Sequence, residues 1–227
     1  FSFLLLTIIQ PILSGIADYV GRKKLFLKIF MYLGSASCIS LYFFDGSNIE
    51  FGIICSVLAS LGFSGSLVFY NAFLPEIVSR DKFDRVSARG YSFGYIGSVI
   101  LLIICLVLIT FYDFFGFSNS ALATRFTFLL VGIWWIIFSQ ITFITVPEVI
   151  KNQKISFSIL SYGINELIKV WNYLKNVRNL KLFLFSFFFY SMGVQTVMLI
   201  ASYFGSKELN LDQNKLILTI LIIQIVA

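Results

Sequence analysis

The chain has 227 residues, of which 59% are hydrophobic, 18% aromatic and only 12% charged, and its mean hydropathy is +0.92. Soluble domains carry roughly 25% charged residues, so this composition excludes an ordinary soluble enzyme or binding domain and predicts an all-α integral membrane protein. The net charge of +6 is not spread over a polar surface, as nucleic-acid binding requires, and we expect no nucleic-acid partner. The chain has no histidine, and its three cysteines lie in separate apolar runs, so we predict no disulfide framework, no metal site and no cofactor.

The apolar runs predict about seven transmembrane helices, since a bilayer core needs roughly 20 apolar residues of helix. The predicted spans are residues 1–19, 25–44, 51–74, 91–112, 124–146, 182–204 and 214–227. The first run starts without an initiator methionine or a charged leader, and the last stops inside apolar sequence. We therefore expect the chain to be a piece of a longer protein.

The basic residues predict the orientation of these spans. Fourteen of the 17 lysines and arginines fall in the connections at 20–28, 75–90 and 147–181, which positive-inside bias assigns to the cytoplasm. The alternating connections at 45–50, 113–125 and 205–215 hold only three: Arg125, Lys207 and Lys215.

The long connection at 147–181 has a pattern of its own. Apolar residues recur in it at intervals of three and four, and polar residues occupy the opposite face, which predicts an amphipathic helix on the cytoplasmic membrane surface over about 156–176. The connection separates five spans from two, so we divide the chain into 1–146, a linker at 147–181, and 182–227. The apolar stripe consists of Leu160, Ile164, Leu167, Trp171 and Leu174.

The hairpin at residues 14–23, SGIADYVGRK, resembles the signature loop of the major facilitator superfamily, Gly-x-Leu-Ala-Asp-Arg-x-Gly-Arg-Lys. Most of the defined positions match, and Ser14 and Tyr19 depart from the pattern. In that superfamily the loop joins the second and third helices. The resemblance thus implies a partial twelve-helix bundle that lacks the first helix and the last four or so, with 147–181 as the central loop. The matching residues include Asp18, Gly21, Arg22 and Lys23.

Two further stretches, FYNAFLPEI at 69–77 and DRVSARGYSFGYIGS at 84–98, resemble bacterial relatives of the yeast vacuolar amino-acid effluxer linked to autophagy. This resemblance implies a secondary active transporter of a small solute, such as amino acids or similar metabolites, that works by alternating access. It also implies a multi-pass protein of the bacterial inner membrane, in contact with lipid and with a coupling proton or ion. We expect a monomer.

The superfamily resemblance also implies a charged conformational latch on the cytoplasmic side. There Asp18 pairs with basic residues of the loop and caps a helix of the other half, while Gly21 permits the tight turn. We expect Glu76 near Arg22 or Arg85 in the same network. The alternative for each of these charges is a solvated helix end or loop. The predicted latch set is Asp18, Gly21, Arg22, Lys23, Glu76, Arg85 and Arg89.

Uncharged polar side chains at membrane depth are the candidates for a substrate cavity, and the alternative for each is interhelical hydrogen bonding. The candidates are Gln10, Tyr70, Asn71, Gln140, Tyr190 and Gln195. Small residues at spacings of three and four predict close helix approach rather than a ligand site; they are Gly62, Gly65, Gly90, Gly94 and Gly97.

Two other functions compete with transport. A seven-helix receptor fits the number of spans, but not their five-to-two division or the cut ends. A membrane-embedded enzyme needs clustered acids, histidines or a nucleophile–base pair, and the cytoplasmic acids here are interleaved with bases. We therefore predict that the chain is not an enzyme.

Overall fold

The computed structural model of the chain describes residues 12, 13, 15, 22–147, 165, 168, 169 and 171–226. Regular structure in this part of the chain is helical. The long helices are α1 (Lys23–Ser40), α2 (Ile49–Ala72), α3 (Phe83–Thr110), α4 (Ser120–Thr145), α5 (Arg178–Lys207) and α6 (Gln213–Val226). A one-turn helix at Leu74–Ile77 and 3₁₀ turns at Leu41–Phe43 and Arg80–Lys82 complete the described elements.

Among the described residues, four helical segments are long and apolar enough to cross a membrane, which confirms a polytopic helical membrane protein. They are Lys23–Phe43, Ile49–Ile77, Arg80–Thr110 and Ser120–Thr145. These segments match the second to fifth predicted spans. The predicted span at 1–19 lies outside the described residues except for three positions, and α5 and α6 coincide with the last two predictions. The number seven therefore stays a prediction.

Helices α2 and α4 begin at matching asparagine caps. The side-chain oxygen of Asn48 accepts a hydrogen bond from the Phe51 backbone N–H at 3.0 Å. That of Asn119 accepts one from the Leu122 N–H at 2.8 Å. Each cap satisfies one of the backbone donors that the first helical turn leaves free. Both helices therefore start at a defined residue at the same predicted end of the bundle, the outer one.

Helix α1 is the centre of the bundle and packs against both α2 and α4. A Cβ atom added to Gly62 of α2 would collide with the backbone of Gly34 in α1, and one added to Gly132 of α4 would lie 2.8 Å from the Ser35 carbonyl oxygen. Close backbone approach of this kind is how membrane helices pack at small residues. The predicted role of Gly62 is thus seen in the structure.

The buried core lies at the inner end of these three helices. Phe69 is fully buried, and its ring stacks on those of Phe26 and Phe30 with centroids 5.3 and 5.8 Å apart. The stacked rings fix how α2 lies along α1. The buried cluster consists of Leu27, Met31, Phe69, Phe73 and Phe143.

Helix α3 lies beside this core rather than in it. It contacts α4 and α6, and α6 in turn contacts α5. Only 11% of the apolar window in Arg80–Thr110 is buried, compared with 33% for Lys23–Phe43. No described atom lies within 4 Å of a Cβ built on Gly94 or Gly97. The close approach predicted for these two glycines is therefore not made by the described residues.

The connections are shorter than the sequence analysis predicted. The region predicted as a loop at 75–90 is helical up to Ile77 and again from Phe83, so Arg85 and Arg89 lie on α3. In the same way Arg125 lies on α4 rather than in the loop at 113–125. The prediction was wrong here because hydropathy marks the part of a helix that lies in lipid, whereas these helices continue into the polar interface.

Most of the predicted linker at 147–181 lies outside the described residues. Residues 171–176 are helical, within the predicted amphipathic helix at 156–176, and α5 starts at Arg178. The three-part division of the chain stays a prediction.

Candidate functional site

A charged junction joins the inner ends of α1 and α2. The Lys23 Nζ atom lies 2.9 Å from Glu76 Oε1 and donates a hydrogen bond to the Ala72 carbonyl oxygen at 3.1 Å. The Lys23 side chain is 13% exposed and that of Glu76 28% exposed. Lys23 therefore neutralises both a carboxylate and the partial negative charge at the C-terminus of α2.

The next residue makes the equivalent contact with α4. Lys24 Nζ donates a hydrogen bond to the Phe143 carbonyl oxygen at 3.0 Å. One turn later, Lys28 Nζ lies 5.3 Å from the centroid of the Phe143 ring, a cation–π distance. The first two turns of α1 thus hold the C-terminal ends of two neighbouring helices.

The predicted latch set is only partly brought together by the described residues. Glu76 pairs with Lys23, whereas the sequence analysis expected Arg22 or Arg85 as its partner. Arg22 is the N-cap residue of α1, and Arg85 and Arg89 lie exposed on the first two turns of α3. Asp18 and Gly21 lie outside the described residues.

A cavity of about 1050 Å³ lies among α1, α2, α3 and α4. Aromatic side chains form much of its wall, and the small residues of α3 face it. Its lining includes Cys38, Ala59, Ser60, Phe63, Phe93, Gly94, Gly97, Ser98, Trp134, Trp135, Phe138 and Thr142.

Two smaller cavities, of about 140 and 70 Å³, lie next to it toward the inner end. Thr142 lines all three cavities, and Tyr70 lines both smaller ones. The 70 Å³ cavity is lined by Phe73 and Ile77, which flank the helix turn that carries Glu76. We call these three neighbouring cavities the track, because they share wall residues and lie in series toward the inner end of α2.

The polar groups along this track are mainly hydroxyls. Ser66 donates to the Phe63 carbonyl oxygen at 2.7 Å, and Ser139 donates to that of Trp135 at 2.7 Å. A hydroxyl that has donated its proton still has acceptor lone pairs. These side chains can therefore accept hydrogen bonds from a guest molecule.

The predicted cavity residues separate into two groups. Tyr70 and Asn71 line the track, and the Tyr91 hydroxyl approaches Asn71 Oδ1 at 3.5 Å. Gln140 Nε2 instead donates to the Tyr32 hydroxyl at 3.4 Å. This is an interhelical hydrogen bond between α4 and α1, the alternative role considered for these residues. Tyr190 is 70% exposed on α5. Gln10 and the Gln195 side chain lie outside what the structure describes.

The opposite, outer end has its own cationic contact. Arg125 Nε donates to the Tyr42 carbonyl oxygen at 2.6 Å, and its guanidinium lies 5.5 Å from the centroid of the Tyr42 ring. In the neighbouring loop, hydrogen bonds from Ser47 hold the pKa of Asp45 below its usual value, with a smaller contribution from the Arg125 charge. Arg125 thus caps the end of α1 as Lys23 and Lys24 cap α2 and α4.

Sequence reasoning missed Lys24, Arg125 and Thr142 as site residues. A signal existed for Arg125, because it is the only basic residue in the connection predicted at 113–125. Thr142 gave no signal, since it is one of four threonines on α4 and the sequence does not reveal which of them borders a cavity.

The long apolar helices define the class of the protein as a polytopic membrane protein, and its relatives include a transporter of the major facilitator type. An MFS-type transporter of Bacillus subtilis (strain 168), YxiO, is 32% identical over the whole chain, which spans 53% of that protein. The chain belongs to the family described as "Vacuole effluxer Atg22 like", whose model matches residues 1–227.

More distant relatives are fungal. Autophagy-related protein 22-1 of Aspergillus terreus is 21% identical over 93% of the chain and 48% of that protein. Autophagy-related protein 22 of Vanderwaltozyma polyspora is 26% identical over 93% of the chain and 46% of that protein. The chain thus spans about half the length of the curated relatives it matches. No solved structure matches it significantly.

Proposed function

We propose that the chain forms about half of a secondary active transporter that moves a small solute across the bacterial inner membrane by alternating access. The observation that carries this proposal is the track of three cavities that share Thr142 and approach the Lys23–Glu76 junction. A path from membrane depth to a charged closure at the inner end is what a gated solute route needs.

The Lys23–Glu76 ion pair of the junction, as distinct from the Lys23–Ala72 hydrogen bond, has the energetic scale of a reversible contact. Its two side chains are partly exposed, and such ion pairs contribute only about 0.2–1 kcal/mol. A contact of this size biases two conformations of similar energy without locking either. We propose that Asp18, Gly21, Arg22, Arg85 and Arg89 complete this latch in the full protein.

The lining of the track supports a solute with both apolar and hydrogen-donating parts. The large cavity supplies aromatic walls, and the smaller ones supply the hydroxyls of Ser66, Tyr70 and Ser139 as acceptors. An amino acid offers an ammonium donor together with a side chain, and it is the substrate class that the family resemblance implies. We extend the proposal to a monomer that couples transport to a proton or ion.

The test is flux through the full-length protein reconstituted in liposomes, with a mixture of labelled amino acids as cargo. Glu76→Gln should leave expression and substrate binding nearly unchanged and slow transport severalfold. Asp212→Asn is the matched control, because Asp212 forms an exposed pair with Lys215 at 3.8 Å in the connection between α5 and α6. Equal flux through wild type and Glu76→Gln would show that the Lys23–Glu76 pair does not gate transport. Turnover of a substrate without any flux would favour a membrane enzyme.

A further inference from the structure

The residues directly before α5 form a segment of one charge sign. We call residues 168–181 the juxtamembrane segment; the structure describes all of them except Val170. The sequence of this segment contains no aspartate or glutamate. Its four basic residues are Lys169, Lys175, Arg178 and Lys181. The other two basic connections on the predicted inner side are different. Arg80 and Lys82 alternate with Asp81 and Asp84 in the one at 75–90, and in the one at 20–28 the side chains of Lys23, Lys24 and Lys28 contact Glu76 and Phe143.

Large apolar and aromatic side chains stand exposed among these charges. Ile168 is 51%, Trp171 62% and Tyr173 65% exposed. Lys175 Nζ lies 6.0 Å from the centroid of the Trp171 ring. Lys181 Nζ donates a hydrogen bond to the Lys175 carbonyl oxygen at 2.8 Å, which brings the start of α5 back onto the helical residues 171–176. Cations and aromatic rings are therefore gathered at one end of α5.

We propose that the juxtamembrane segment binds the phosphate headgroups of anionic phospholipids in the inner leaflet. Tryptophan and tyrosine favour the headgroup level of a bilayer, and clustered basic residues next to a membrane helix attract anionic lipid. The exposed apolar side chains decide between lipid and a soluble phosphate. A free anion would bind the basic side chains but would leave Ile168 and Trp171 in water, whereas a lipid covers both kinds of group.

The chain offers a direct optical test, since it has three tryptophans and two of them, Trp134 and Trp135, line the large cavity. The full-length protein with both replaced by phenylalanine carries Trp171 as the only tryptophan of this region. It is reconstituted into vesicles that contain the same mole fraction of brominated phosphatidylglycerol or brominated phosphatidylcholine. We expect the brominated anionic lipid to quench Trp171 at least about twofold more strongly, and the difference to shrink in high salt.

Two variants separate charge in this segment from charge elsewhere. Replacement of the four segment cations by glutamine should abolish the preference for the anionic lipid. Arg80→Gln with Lys82→Gln, on the same predicted side, should leave it intact. If the two cavity tryptophans cannot be replaced, the difference in quenching between the native protein and Trp171→Phe gives the same quantity.

Three results would overturn the proposal. Equal quenching by the two brominated lipids would show a segment on the membrane without headgroup selectivity. Absence of quenching by either lipid would show a segment away from the membrane. Loss of the preference on addition of millimolar glycerol phosphate would show a site for soluble anions.

Discussion

Lys24 donates a hydrogen bond to the carbonyl oxygen of Phe143, 119 positions further along the chain, at 3.0 Å. With the contact of Lys23 to Ala72, it attaches the first turn of α1 to the ends of α4 and α2. The basic cluster that orients the hairpin by the positive-inside rule therefore also holds three helices together at their inner ends. One short sequence serves both topology and packing.

Removal of the Lys24 charge should destabilise the bundle. Lys24→Met keeps most of the aliphatic stem but leaves the Phe143 carbonyl without this donor, and hydrogen bonds to charged groups contribute about 1.5–3 kcal/mol. We expect a lower melting temperature for the full-length protein in detergent, and partial recovery in Lys24→Arg. Lys82→Met, in an exposed turn, is the control. Equal melting of Lys24→Met and wild type would show that the contact contributes nothing.

Replacement of a glycine by alanine should change thermal stability differently in α2 and in α3. Gly62→Ala places a methyl group against the Gly34 backbone, and overpacking of this kind costs about 1–3 kcal/mol. Gly94→Ala adds its methyl to a position with no described atom within 4 Å, and alanine is the better helix former. Thermal unfolding of both variants measures the difference. Equal losses of stability would show that the opening beside α3 is filled in solution.

These glycines also show where prediction from sequence reaches its limit. Gly62 and Gly94 have the same kind of neighbours, small residues at intervals of three and four, and the same prediction was made for both. Spacing identifies the face of a helix that admits a close partner, but it does not identify the partner. In the described chain α1 supplies that partner for Gly62, whereas the face around Gly94 borders the large cavity.

The charged residues show the same limit. The side of the membrane on which they are predicted follows from the number of basic residues in each connection, which needs no coordinates. The motif at 14–23 was likewise sufficient to indicate the superfamily. The pairing of Glu76 with Lys23 instead of Arg22 depends on which way the first turn of α1 faces. Adjacent helical residues point about 100° apart, so a one-residue difference changes the partner completely.

The loop between α1 and α2, which contains Asp45 and Ser47, should become more mobile in acid. Hydrogen bonds from Ser47 hold the pKa of Asp45 below its usual 3.8 in the folded protein, so this contribution to loop order is present above pH 3.8 and is lost as the pH falls through the lowered value. A spin label at Ile49→Cys, an exposed position, should therefore gain mobility only in strong acid. With Asp45→Asn added, the label should be more mobile at neutral pH and insensitive to acid. A mobility change centred above pH 5 would rule out Asp45 as its cause.

The orientation of the four spans can be tested with a thiol reagent that does not cross membranes. The native cysteines are first replaced by alanine, including Cys55 and Cys105, which are buried. Lys82→Cys lies in the turn between α2 and α3, and Phe114→Cys is in the connection between α3 and α4, where Phe114 is 85% exposed. Because α3 separates these positions and is long enough to cross the bilayer, we expect them on opposite sides. The basic residues place Lys82 inside, so intact cells should be labelled at Phe114→Cys and only permeabilised cells at Lys82→Cys.

Labelling of both positions in intact cells would mean that Arg80–Thr110 does not cross the membrane. The reverse pattern would mean that the positive-inside assignment is inverted.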